Sequence, residues 1–233
     1  LLLASALALL AALMIFKLGV GPHLPAKANG GRPWAGLAAF KEKNFRAAAL
    51  GYFGHCWELY ALWALVPFLV ARELERLGAA PGLQPWLSFA VIALGLPGCV
   101  WAGWWSRRIG SARVAFIALA VSGTLCLIYP LLGGLSPWLL LALLALWGVS
   151  VIADSAQFSA LASASAPPER LGAALAMMNA IGFGLTIPSI ALVTALWASQ
   201  GPWVIWWLLP GPVLGLIAMR GLHLRTHLRT TQP

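Results

Sequence analysis

Glu58 and Asp154 each stand inside an uncharged apolar stretch long enough to cross a lipid bilayer. Burying a carboxylate there is costly, so an ionisable residue within a membrane segment marks a functional site by default. Residues three and four apart share one face of a helix. That rule puts Gly51, His55, Glu58 and Leu62 on one stripe, with the His55 imidazole one turn from the Glu58 carboxyl. A helix starting near Ala47 carries Glu58 about 16 Å deep at about 1.5 Å per residue, close to the bilayer centre. An imidazole and a carboxyl so placed can take up and release a proton. Neutral and hydrogen-bonded, the same two groups instead pin two helices together.

The same spacing collects Trp147, Ser150, Asp154, Gln157 and Leu161 on a second stripe, and Asn179, Gly182, Thr186 and Ser189 on a third that lacks charge. A polar stripe in lipid must face protein or a water-filled cavity. These helices are therefore expected to surround one. The candidates for a solute and proton pathway are His55, Glu58, Tyr60, Trp63, Trp147, Ser150, Asp154, Gln157, Asn179 and Thr186. Two plainer roles stand beside this one. Asn179, Thr186 and Ser189 can bond neighbouring helices, and Asp154, nearer the inner surface, can form a gate ion pair with Arg107, Arg108 or Arg170.

Composition fixes the elements that must carry these stripes. The chain is 61% apolar and 9% charged, with a mean hydropathy of +0.86, which excludes a soluble domain. Runs 1–20, 47–71, 86–105, 114–133, 137–162, 173–198 and 203–219 each have the length and apolarity of a span. The expected fold is all-α, a polytopic transmembrane helix bundle. The net charge of +9 comes from Lys and Arg lying between apolar runs, which suits membrane lipid head groups and not nucleic acid. Lys27, Arg32, Lys41, Lys43 and Arg46, then Arg107, Arg108 and Arg113, then Arg170, then the tail, fall on one side under strict alternation. Arg72 and Arg76, interleaved with Glu73 and Glu75, fall on the other. The tail is thus expected in the cytoplasm.

Cys56, Cys99 and Cys126 share no metal-ligand spacing and read as packing residues. Metal, cofactor and enzyme motifs are all lacking, and His23, His223 and His227 lie in basic, solvated segments. In the third run Gly95, Cys99 and Gly103 recur every four residues and let a neighbouring helix approach. Pro67, Pro97 and Pro188 are expected to interrupt spans. The fourth and last runs carry no charge within the bilayer and are expected at the periphery.

The chain opens inside an apolar run without an initiator Met or a charged leader. The expected organisation is 1–20 as the last helix of a truncated N-terminal half, 21–46 as a basic cytoplasmic connector, 47–219 as a six-helix transport half, and 220–233 as a cytoplasmic tail. In the connector, Gly30, Gly31 and Pro33 suit a boundary. Trp34, Leu37, Ala38 and Phe45 can form the apolar side of an interfacial helix, and a flexible linker fits the composition equally.

The residues around these stripes resemble the C-terminal half of a bacterial major facilitator superfamily transporter over nearly the whole chain. The resemblance rests on Gly51–Pro67 (GYFGHCWELYALWALVP), Asp154–Ser159 (DSAQFS) and Pro210–Gly215 (PGPVLG). Gly103–Arg113 (GWWSRRIGSAR) is similar to the family's cytoplasmic gating signature Gly-x-x-x-Asp-Arg-x-Gly-Arg-Arg. It keeps Gly103, Arg108 and Gly110 and departs from it at Arg107 and Ser111. The resemblance implies that the spans are helices six to twelve, that seven, eight, ten and eleven line a central cavity, and that nine and twelve lie outside. It further implies a missing N-terminal half against which this one rocks about a midplane site in the cytoplasmic (inner) membrane.

The expected function is secondary transport of a small solute, with proton coupling through Glu58 and His55. The alternative is a complete seven-helix receptor or channel-like membrane protein.

Overall fold

The computed structural model describes residues 2–18 and 33–229, and among them every α and 3-10 element is helical with no strand. The chain divides into two units, Leu1–Arg32 and Pro33–Pro233. The first holds α1 (Leu2–Leu18), apolar apart from Ser5 and Lys17, with large side chains such as Leu2, Leu9 and Phe16 exposed around the helix. His23, Lys27, Gly30, Gly31 and Arg32 lie outside the described residues, as do the side chains of His223 and His227.

In the second unit, a 3-10 helix (Pro33–Lys41) leads into α2 (Lys43–Arg76). There follow α3 (Gln84–Ala93), α4 (Gly95–Ile109), α5 (Ser111–Ile128), α6 (Pro137–Ala153), α7 (Ser155–Ser165), α8 (Leu171–Gln200) and α9 (Pro210–Arg229). Five stretches are long and apolar enough to cross a bilayer, and one of them is Pro168–Leu222, 55 residues long. As one helix it would reach about 80 Å, against a hydrocarbon core of about 30 Å. Gly201, with φ +54, turns the chain between α8 and the 3-10 helix Gly201–Leu208 that precedes α9. The final crossing is therefore a 3-10 segment followed by an α-helix, not the single run 203–219.

Several sequence expectations are corrected. Pro97 alone interrupts a span: it lacks an N–H and its ring crowds the Ala93 carbonyl, so α3 ends at Ala93. α2 and α8 run through Pro67 and Pro188. Pro67 keeps its own carbonyl bonded, accepting from Gln84 Nε2 at 3.0 Å. The fifth run also breaks, at Asp154 between α6 and α7. Residues 33–41 are helical and not a flexible linker, and Trp34 and Leu37 of the expected apolar side are exposed. They form a 3-10 segment seated on α8, where a Cβ on Gly36 would strike the Ala173 carbonyl. Phe45 belongs to α2 and is buried, so it is not on a lipid-facing side.

α2 is the central column. Its first half packs Phe45, Tyr52 and Cys56 against Leu119, Phe158, Met178 and Met219. Its second half packs Leu62, Leu65 and Leu69 against Leu140, Leu144, Trp147 and Ile205. At its end Glu73, fully buried, accepts from Arg72 at 2.9 Å and Arg76 at 2.5 Å, and Arg76 also donates to the Leu135 carbonyl at 2.7 Å. That clasp ties α2 to the turn before α6.

Glycines set the close crossings. Gly54 and Gly211 lie backbone to backbone where α2 meets α9, and Gly148 rests on the Val91 carbonyl where α6 meets α3. On α4 the close approach uses Gly95 and Gly98, whereas Gly103 has open space around its Cβ position. The expected four-residue stripe is therefore shortened and shifted. Gly54→Ala should cost about 1–3 kcal/mol by overpacking, seen as a lower unfolding temperature in detergent, while Gly103→Ala should leave that temperature at or above the parent value.

Candidate functional site

The polar groups of α2, α5, α6 and the α6–α7 junction meet inside the second unit. His55 Nδ1 lies 2.8 Å from Asp154 Oδ1. Glu58 Oε1 accepts from Ser122 Oγ at 2.6 Å and from Trp147 Nε1 at 3.1 Å. Trp147 Nε1 also donates to Ser122 Oγ at 2.9 Å. His55 is 2% exposed, and Glu58 and Asp154 are 1% exposed. Tyr52 and Phe158 cover the imidazole, with ring centroids 6.1 and 5.8 Å away. Glu58 Oε2 and both Asp154 oxygens have no hydrogen-bond donor among the described residues, so the His55–Asp154 approach is an ion-pair contact.

This geometry corrects two expected pairings. His55 pairs across the bundle with Asp154, while Ser122 and Trp147 donate to Glu58 Oε1. Asp154 accordingly does not pair with Arg107, Arg108 or Arg170. It is sealed in the core, whereas those three are exposed. Arg108 instead lies over the Trp104 ring, 4.2 Å from its centroid. Gly110, with φ +89, makes the tight turn from α4 to α5, and Arg113 is half-buried just beyond it.

The expected wet crevice is not lined by these carboxylates, since tight helix packing closes the cluster on every side. The sequence candidates separate into two sets. His55, Glu58, Trp147, Ser150, Asp154, Gln157 and Thr186 are buried. Tyr60, Trp63 and Asn179 are not: Tyr60 and Trp63 are half-buried and Asn179 is exposed. Tyr60 packs edge-on to Trp63 at 5.4 Å and to Phe183 at 5.7 Å. Asn179 lies one helical turn before Phe183, so α2 and α8 share an open, largely aromatic wall. Thr186 and Ser189 donate to carbonyls three residues back in their own helix, at 2.7 and 3.0 Å, and Ser150 does the same to Trp147 at 3.2 Å. None of the three supplies the interhelical bond expected of a polar stripe.

Ser122, absent from the sequence candidates, lies in α5, whose one charged residue, Arg113, sits in the first turn, so the uncharged run 114–133 reads as peripheral. The signal was the four-residue spacing of Ala118, Ser122 and Cys126, all buried. Cys126 Sγ donates to the Ile205 carbonyl at 3.1 Å, and Cys99 Sγ to that of Ile152 at 3.4 Å. The three cysteines are free thiols, and no group of three His, Cys, Asp or Glu able to hold a metal occurs among the described residues.

Apolar crossings wrapped around buried carboxylates, with a separate open wall, define a multi-pass membrane protein of the transporter kind. The family model for the Major Facilitator Superfamily matches residues 1–190, and the chain belongs to that superfamily, whose members move small solutes across membranes. No curated protein and no solved structure matches the chain.

Removing one partner of a buried ion pair leaves the other uncompensated, at about 3–5 kcal/mol. Asp154→Asn alone should therefore destabilise the protein more than Asp154→Asn combined with His55→Gln. Thermal unfolding of the two single variants and the double variant measures this coupling, and strictly additive losses would contradict the pairing.

Proposed function

We propose that this chain forms the solute- and proton-handling half of a secondary transporter, its crossings corresponding to helices six to twelve of the superfamily. The observation that carries the reading is the sealed cluster. Two carboxylates and an imidazole are held inside an apolar bundle where structure alone would use apolar side chains at lower cost. Glu58 carries the coupled proton, Ser122 and Trp147 hold its carboxyl in place, and the His55–Asp154 pair supplies the second charge step.

The solute meets the opposite face of α2. Tyr60 follows Glu58 by two residues, which turns it to the other side of the helix. With Trp63, Phe183 and Asn179 it offers flat apolar surface and one amide, a lining suited to a small organic solute with an apolar or aromatic body. A change at Glu58 reaches this wall through α2 itself. Arg107 and Arg108 in the last turn of α4, with Gly103, Gly110 and Arg113, lie at the basic end of the bundle. Under the positive-inside rule that end is cytoplasmic, together with the C-terminus, in the cytoplasmic membrane.

The test uses proteoliposomes with a pH-sensitive dye inside and a panel of small organic solutes added outside. A transported solute should move protons in the parent. Glu58→Gln should retain solute exchange and lose proton movement, while Tyr60→Ala should weaken solute affinity by about tenfold, the scale of one aromatic contact, with proton movement per solute unchanged. Parent-level proton movement in Glu58→Gln would remove the coupling role.

A further inference from the structure

A groove of about 580 Å³ opens between α2, α8 and α9, away from the carboxylate cluster. Its walls are Leu50, Phe53 and Trp57 from α2, Leu185 from α8, and Leu214 and Ile217 from α9. Its floor is the Gly54–Gly211 contact, where the two backbones touch and no side chain fills the space. The one polar side-chain atom in the lining, Trp57 Nε1, is already bonded to the Trp207 carbonyl at 3.0 Å. The groove is thus dry. It is also open, since Leu50, Leu214 and Ile217 are 45, 64 and 66% exposed.

Its basic end carries more Arg and Lys than acid, with Glu42 the acidic neighbour on the α2 side. Gly51 packs against Gly215 and Gly54 against Gly211, so α2 and α9 run antiparallel in a fixed register. Carried one turn past the groove, that register sets Arg46 opposite Arg220. Arg46 lies four residues before Leu50 and Arg220 three after Ile217, each on the stripe that lines the groove. Both arginines are exposed. One Arg46 nitrogen donates to the Phe40 carbonyl at 3.0 Å, and the guanidinium has further donors to offer. Lys43 stands in the same first turn of α2, with Glu42 just ahead of it.

We propose that this groove binds an anionic phospholipid, an acyl chain lying along Leu50 to Trp57 and the phosphate held between Arg46 and Arg220. An apolar slot with two cations at one mouth matches a tail joined to an acidic head group. A second copy of this chain matches poorly. It would bring the same Lys- and Arg-rich end to the mouth, and like charges oppose such docking. The site is independent of the transport reading and would stand if that reading failed.

The test is native mass spectrometry of the purified chain equilibrated with micelles containing equal amounts of phosphatidylglycerol and phosphatidylcholine of identical acyl chains. Phosphatidylglycerol should be retained preferentially. Arg46→Gln and Arg220→Gln should each reduce its retention about fivefold, the weight of one basic residue at an anionic membrane surface, and leave phosphatidylcholine unchanged. Leu214→Trp, which fills the slot, should reduce retention of both lipids with the unfolding temperature kept. Equal retention of the two lipids would overturn the proposal. So would parent-level phosphatidylglycerol in the double arginine variant, or a chain dimer that excludes lipid. Competition by glycerol 1-phosphate as strong as by whole lipid would overturn the acyl-chain assignment.

Discussion

A carboxylate inside hydrocarbon has no water to bond, so Glu58 and Asp154 must find partners on other helices. Each does so with a different chemistry. Asp154 meets an imidazole that can carry the opposite charge. Glu58 meets two neutral donors, a hydroxyl and an indole N–H, on the same oxygen. Between them these contacts tie α2 to α5, α6 and the α6–α7 junction, and the break in the fifth crossing falls at Asp154 itself.

Holding short side chains such as Ser122 within 2.6 Å of a partner on another helix requires backbones that come close. The glycine contacts bring α2 and α6 equally close to other neighbours, α2 to α9 at Gly54–Gly211 and α6 to α3 at Gly148 on Val91. Lipid gives no hydrophobic drive for helices to associate, so shape fit and interhelical bonds carry the cohesion. The consequence is a core in which α2 and α6 use polar bonds toward some neighbours and glycine packing toward others.

Much of this was legible in the sequence. Apolar runs marked the chain as a helical membrane protein, and the motifs around His55 and Asp154 led to the superfamily. The carboxylates drew attention because charge is rare in such runs. The pairings were not legible. Residue spacing reports neighbours along one helix, so His55 and Glu58 looked like partners, whereas their bonds run between helices and depend on rotation and depth. Ser122 escapes for the same reason, being a small hydroxyl in the uncharged run 114–133. Asn179 fell in a plausible polar arc yet is exposed, because a four-residue pattern cannot say where the buried sector ends. Phe45 looked interfacial only because α2 begins at Lys43, earlier than hydropathy suggests.

α2 carries buried, titratable groups on one face and an aromatic wall on another. A single rigid column can therefore link the state of one to the position of the other, without a chain of intermediaries. That picture depends on His55 being held by Asp154 and not by Glu58. Nitrogen-15 magnetic resonance of histidine-labelled protein in lipid bilayers reads this directly. The His55 Nδ1 resonance should shift in Asp154→Asn and stay in place in Glu58→Gln; a resonance that moves with Glu58→Gln and ignores Asp154→Asn would contradict it.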